Sequence, residues 1–125
     1  MSTNTPIYVA VVNDDEQLCE SIGRLLRASG MQPITYGSAE AFLADTQQPR
    51  FDCLVLDAQL RGMSGIELAR RLRAEDGRVP FIFITARDDL ELRVAAQAAG
   101  CVAYVRKNEF GADVVDASRQ ATRQA

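Results

Sequence analysis

The chain of 125 residues has no histidine and no tryptophan. Without an imidazole, it has neither His-based acid–base catalysis nor a phosphohistidine of its own. Its three cysteines, Cys19, Cys53 and Cys101, are an odd number without metal-ligand spacing. They therefore predict small core residues of a reduced, cytoplasmic protein. The formal net charge of −3 argues against direct binding of nucleic acid, whose phosphates require a basic surface.

Long hydrophobic runs are also absent. No apolar run approaches the roughly 20 residues of a membrane span, and the N-terminus lacks a signal-peptide pattern. We therefore expect no membrane contact. The hydrophobic content of 47% is enough for one adequate core in a chain of this length. We predict a single domain over residues 1–125, with its core at about residues 7–120.

Five apolar segments of strand length alternate with five segments of helix length. The predicted strands are Ile7–Val12, Met31–Tyr36, Cys53–Leu56, Phe81–Thr85 and Cys101–Val105. Strands that are apolar on both faces and separated by helices predict a parallel sheet covered on both sides. With right-handed crossovers, this is a doubly wound (βα)5 α/β fold, a flavodoxin-like three-layer sandwich with strand order 2-1-3-4-5.

In such a sheet, ligands bind beyond the carboxyl ends of the strands. Four strand ends carry chemically compatible side chains, which are Asn13 with Asp14, Asp57, Thr85 and Lys107. Each has an ordinary alternative role, as a helix cap, a strand residue or a solvated loop lysine. We consider four such coincidences less plausible than one shared site at this edge.

Phosphoryl transfer to a carboxylate is the chemistry that this set permits. Asp14 and Asp57 supply hard oxygens, and Mg²⁺ needs only one or two carboxylates because it keeps several waters. The metal would offset the repulsion between the carboxylates, so that Asp57 can act as the nucleophile. Lys107 and the Thr85 hydroxyl would then neutralise and hydrogen-bond the remaining phosphoryl oxygens.

These segments resemble the receiver domain of two-component response regulators over essentially Ile7–Gln120. The resemblance rests on Val11–Glu16, on Asp57 followed by Gly62–Gly65, on Phe81–Ala86 and on Tyr104–Lys107. The segments Ser38–Leu43 and Gly62–Leu68 look most like receivers that precede a helix-turn-helix DNA-binding domain. The tail from Ser118 could finish a stand-alone receiver or could be a cut before such an effector domain, and we favour the cut.

The resemblance implies a role for each matching residue. Asp57 would be the phospho-acceptor, and Asp14 would bind Mg²⁺ directly. The Gln59 backbone carbonyl would be a further metal ligand, and Asn13 would reach the metal through a water.

The resemblance also implies a switch. Thr85 would be the switch hydroxyl, Lys107 the phosphate contact and Tyr104 the aromatic residue that changes rotamer. Tyr104 could equally be a half-buried tyrosine of an edge strand.

Three residues depart from the family pattern. Asn13 stands where the family has the first of two acids, unless Asp14–Asp15 is read as the pair, and we expect weaker Mg²⁺ binding. Arg61 replaces a proline, which predicts a more mobile loop. Its guanidinium could swing toward the phosphate or point to water, and we favour water. Asn108 replaces a proline that is normally cis, so the Lys107–Asn108 bond is predicted to be trans or strained.

Three functions fit the sequence unequally. We favour a switch that accepts a phosphoryl group from a histidine kinase or phosphotransfer protein and changes the surface of the fourth helix, fifth strand and fifth helix. That surface would control homodimerisation or an attached effector domain. A phosphorylation-independent interaction module is the alternative. An aspartate-nucleophile phosphohydrolase is disfavoured because Gln59 occupies the place of its second acid, so we expect no enzyme beyond self-phosphorylation and dephosphorylation.

Overall fold

Strands and helices alternate strictly along the chain. The computed structural model describes residues 6–76, 79–86, 89–106 and 112–123. The strands are β1 (Tyr8–Val12), β2 (Gln32–Tyr36), β3 (Cys53–Asp57), β4 (Phe81–Thr85) and β5 (Ala103–Arg106). The helices are α1 (Glu16–Ala28), α2 (Ala39–Ala44), α3 (Gly65–Asp76), α4 (Leu90–Ala98) and α5 (Ala112–Arg123).

The five strands form one parallel sheet in the order β2-β1-β3-β4-β5. This confirms the predicted doubly wound fold and its strand order. The segment Met31–Tyr36 is more polar than the other predicted strands, which predicts an edge strand. The structure places it at the edge of the sheet, where it begins one residue later at Gln32. Pro33 lies within it, which an edge strand tolerates because one side of its backbone makes no ladder hydrogen bonds.

Successive residues of the three central strands point into two separate cores. One core contains Phe42 of α2, Leu68 of α3 and Ala96 of α4. The other contains Ile22 of α1 and Val115 of α5. Because helices cover both faces, every residue of β3 and β4 is buried. The central strands therefore form a rigid platform whose carboxyl ends hold the candidate site.

Side-chain caps begin α1, α2 and α3 at the Asp or Ser that the sequence places before each helix. Asp15 accepts a hydrogen bond from the Leu18 amide at 3.2 Å, and Ser64 Oγ accepts one from the Glu67 amide at 3.0 Å. Such caps satisfy first-turn amides that have no partner within the helix. The sequence Asp88–Glu91 has the spacing of a capping box, which predicts Asp88 as the cap of α4, but Asp88 lies outside the described residues. The observed cap of α4 is Asp89.

The described helices are shorter than the roughly 20 residues that a membrane-spanning helix needs. In the part of the chain that the structure describes, no helix is both long enough and apolar enough to cross a membrane. The longest, α1, has 13 residues.

Candidate functional site

Strand register brings Asn13, Asp57 and Thr85 to one edge of the sheet. Val12 pairs with Leu56, so Asn13 follows β1 beside the end of β3. Asp57 pairs with Ile84, which places Thr85 one residue beyond it at the end of β4. The three residues are 2%, 2% and 0% exposed, respectively. Buried polar side chains that meet at the carboxyl edge of a doubly wound sheet, where ligands bind, mark this edge as the candidate site.

Asp57 is held by its own loop. The Gln59 amide donates to Asp57 Oδ1 at 2.9 Å, and the Ala58 amide donates to the Ile84 carbonyl at 2.9 Å. The first turn of α3 then passes very close, because a Cβ placed on Gly65 would lie 1.9 Å from the Asp57 carbonyl oxygen. Only glycine fits there, so the start of α3 sets the position of Asp57.

The Asn13 side chain accepts a hydrogen bond within the loop after β1. Its Oδ1 accepts a hydrogen bond from the Asp15 amide at 2.8 Å, while its carbonyl accepts one from the Cys19 thiol at 3.3 Å. Its Nδ2 is buried and has no hydrogen-bond partner among the described residues. An amide nitrogen cannot ligate a cation. Because Asp15 caps α1, this arrangement favours Asn13, and not Asp15, as the neighbour of Asp14 in the site.

Asp14 lies at the mouth of the site. Its Oδ2 is 3.9 Å from Arg61 Nε, and the two side chains are 35% and 97% exposed, respectively. The surrounding carboxylates affect the pKa of the nearby Cys19 thiol. Burial raises the pKa of Cys19, and the charges of Asp15, Asp14 and Asp57 raise it further. The β1–α1 loop and the end of β3 therefore share one negative electrostatic environment.

This donor set fits a hard divalent cation. Asp14 and Asp57 offer two carboxylates, and the Gln59 carbonyl can add a neutral oxygen. Within the described ranges, no group of three or more His, Cys, Asp or Glu side chains could form a metal cage. Mg²⁺ suits a set with only two carboxylates because it retains much of its water shell. The residues therefore match Mg²⁺ better than Zn²⁺ or a Ca²⁺ cage.

The residues predicted for the switch lie around β4 and β5. The register pairs Thr85 with Arg106 of β5. Tyr104 is half-buried in β5, with the Arg93 guanidinium carbon 5.4 Å from its ring centroid. Lys107 and Asn108 lie outside the described residues. The Lys107 phosphate contact and the state of the Lys107–Asn108 bond therefore stay predictions.

Sequence reasoning missed a contact from α2 to the loop after Asp57. The Met63 amide donates to Glu40 Oε2 at 2.9 Å, and this bond lowers the pKa of Glu40. Gly62 has a φ of +74°, which lets the loop turn toward α2. Nothing in local periodicity signals this contact, because the two partners are 23 residues apart. Arg61 extends into water, as expected, but its proximity to Asp14 was not anticipated.

Comparison with known proteins adds independent evidence. The family model described as the response regulator receiver domain matches residues 9–119. The chain belongs to this family. The receiver is 33% identical over 121 residues to nodulation protein W of Bradyrhizobium diazoefficiens, covering 97% of this chain and 53% of that protein. It is also 33% identical to the transcriptional regulatory protein FixJ of Rhizobium meliloti, covering 94% of this chain and 58% of that protein.

Solved structures agree with this assignment. The receiver superposes on the crystal structure of FixJ-N with a TM-score of 0.86 and 31% identity, covering 97% of each chain. It matches the response regulator StyR with a TM-score of 0.86 and 35% identity, over 96% of this chain and 61% of that one. The chain spans about half the length of the first curated relatives it matches. The relatives include proteins named as a response regulator and as a transcriptional regulatory protein.

Proposed function

We propose that this receiver is a phosphorylation-dependent switch that accepts a phosphoryl group on Asp57. The observation that carries the proposal is the buried Asp57 carboxylate at the end of β3, flanked in register by Asn13 and Thr85. A charged group is seldom buried to this degree without a function or a partner. The family assignment supports the same role for the same residue.

The donor would be a histidine kinase or a phosphotransfer protein. An Asp57 oxygen forms a bond to phosphorus as the bond between phosphorus and the partner's imidazole nitrogen breaks. The electron pair of that bond leaves with the imidazole, which the partner supplies because this chain has no histidine. The Gln59 amide holds the Asp57 carboxylate in place during this step.

Asp14, Asp57 and the Gln59 carbonyl would hold Mg²⁺, which supplies charge neutralisation for the carboxylates and the phosphoryl oxygens when it is bound. Asn13 would act through a water. Its Oδ1 already accepts the Asp15 amide, so it has one remaining lone pair for that water. Thr85 and Lys107 would contact phosphoryl oxygens.

The output would be a change of the surface formed by α4, β5 and α5. Leu90 and Val94 are 77% and 57% exposed and lie one turn apart on α4, while Val102, just before β5, is 48% exposed. Exposed apolar side chains of this kind suit a partner surface. Movement of Thr85 and Tyr104 would alter this surface and favour a homodimer.

An effector domain would complete the protein. The curated relatives are about twice as long as the matched region, and FixJ is described as a transcriptional regulatory protein. We propose that residues 1–125 are one receiver domain that controls a DNA-binding domain beyond it. Any contact with DNA would come from that domain, because this one is acidic.

A phosphorylation-independent interaction module is the second candidate. It is favoured by Asn13, whose orphaned Nδ2 cannot ligate a cation, and by Arg61, which lies beside Asp14. Both features weaken the negative field of the site. The exposed apolar residues of α4 would serve such a module equally well.

Intact-mass analysis after incubation with acetyl phosphate and Mg²⁺ separates the two functions. We expect one phosphate adduct, lost in Asp57→Asn and retained in Asp116→Asn, which removes an exposed carboxylate from α5. Absence of any adduct with acetyl phosphate or with phosphohistidine donors would favour the interaction module. Repeated turnover of added phosphoesters would instead indicate an enzyme.

A further inference from the structure

Arg61 links the two loops that build the site. Its Nε lies 3.9 Å from Asp14 Oδ2, although the rest of the side chain is in water. Asp14 belongs to the β1–α1 loop, whereas Arg61 belongs to the loop between β3 and α3. A cationic side chain therefore sits against the carboxylate that we assign to the metal.

The backbone beside Arg61 is held from the opposite side. Glu40 of α2 accepts the Met63 amide, and a Cβ placed on Gly62 would lie 2.6 Å from Glu40 Oε2. Gly62 also has a positive φ, which a side chain would disfavour. The backbone that follows Arg61 is thus bonded to α2 through Met63, while the Arg61 side chain reaches the β1–α1 loop. The proximity to Asp14 follows from this anchored loop.

Because the site has few negative charges, the contact between Arg61 and Asp14 would affect cation binding. Asn13 is neutral, so the side chains that we assign to the metal site include two carboxylates, those of Asp14 and Asp57. The guanidinium offsets one of these two charges. A guanidinium and a divalent cation repel each other and seek the same carboxylate oxygens, so both cannot be held fully at Asp14.

We propose that Arg61 is a tethered competitor for the cation: it neutralises Asp14 in the metal-free receiver and must leave Asp14 before the metal site is complete. This inference rests on the proposed function of the same site. Cation binding would then be coupled to the loop after Asp57, because release of Arg61 frees the ion pair between that loop and Asp14. The receiver would respond over a higher Mg²⁺ range than the carboxylates alone would set.

Calorimetric Mg²⁺ titration of the full chain tests the proposal through binding rather than activity. We expect Arg61→Gln to bind Mg²⁺ about two- to fivefold more tightly than the wild type, the range set by an exposed ion pair. Arg61→Lys keeps the positive charge and should stay within about twofold of the wild type. Arg70→Gln removes the same charge from the exposed face of α3 and should leave affinity nearly unchanged.

Salt provides a second readout. The difference between the wild type and Arg61→Gln should shrink at about 0.5 M monovalent salt, because screening weakens exposed charge pairs. Arg61 being fully exposed, neither variant should disturb folding.

Several outcomes would overturn the proposal. These are an affinity of Arg61→Gln equal to or below that of the wild type, an equal gain in Arg61→Lys or Arg70→Gln, or no Mg²⁺ binding by any variant. Detectable binding only in Arg61→Gln would support it. The adduct on Asp57, measured separately at saturating Mg²⁺, reports on the proposed function, so the two can fail independently.

Discussion

The carboxyl end of β3 and the flank formed by α4 and β5 differ sharply in how tightly they are packed. Every residue of β3 is buried, and the start of α3 approaches Asp57 so closely that only glycine fits at Gly65. By contrast, α4 has one buried residue, Ala96, and exposes Leu90 by 77%. A side chain with few buried contacts costs little to move. The comparison indicates that the phosphoryl group would be received on a rigid platform and reported by a loosely held surface.

The largest effect on stability is expected from disturbing the packing between α3 and the carboxyl end of β3. Gly65→Ala should lower the free energy of unfolding by about 3 kcal/mol, because its Cβ would overlap the Asp57 carbonyl oxygen and force β3 and α3 apart. The adduct yield on Asp57 should fall with it. Urea denaturation followed by circular dichroism measures the stability.

Gly37→Ala is the matched control. Nothing lies within 4 Å of a Cβ placed there, and its φ is not in the positive range. Its stability should change by no more than about 0.5 kcal/mol. Equal effects of the two substitutions would contradict the assignment of Gly65 as a steric requirement of the site.

A smaller effect on stability is expected from placing a carboxylate at position 13, at the carboxyl end of β1. Asn13→Asp places a carboxylate at the position of the orphaned Nδ2, beside Asp57. In chelator, like-charge repulsion should lower the free energy of unfolding by about 1–2 kcal/mol. With Mg²⁺, attraction for the cation should tighten binding by about tenfold and recover that stability.

Mg²⁺ titration measures the affinity, and thermal unfolding with and without EDTA measures the stability. Asp116→Asn, which changes the charge on the exposed face of α5, should alter neither. Unchanged Mg²⁺ affinity in Asn13→Asp would show that the position does not face the cation site.

The smallest effect on stability is expected from substitutions on the exposed surface of α4. Replacing Leu90 and Val94 together with serine should change the free energy of unfolding by no more than about 1 kcal/mol, because both side chains are mostly in water. Phosphorylation-dependent dimerisation should nevertheless be lost. Light scattering after incubation with acetyl phosphate and Mg²⁺ measures the dimer.

Serine at Glu67 and Arg70, on the exposed face of α3, provides the control and should leave dimerisation intact. A dimer that persists in the Leu90 and Val94 variant would place the output surface elsewhere. A large loss of stability would instead show that the flank is as firmly packed as the platform.

The sequence by itself determined the sheet, its strand order and the capped starts of α1, α2 and α3. These features depend on local periodicity and on side chains within a few residues of the amides that they satisfy, as Ser38 does for Ala41. The same local signals placed Asp57 at a strand end. The cap of α4 was missed by one residue because Asp88 and Asp89 are chemically equal, so only backbone geometry selects Asp89.

Only the tertiary structure decided how the loops around Asp57 meet. The clearance at Gly65, the bond from Met63 to Glu40 and the approach of Arg61 to Asp14 join segments that are distant in sequence. The side-chain amide of Asn13 is likewise oriented by the Asp15 amide, which depends on the turn that the folded loop adopts. Contacts of this kind leave no periodic signal, because they arise when the sheet brings separate loops to one edge.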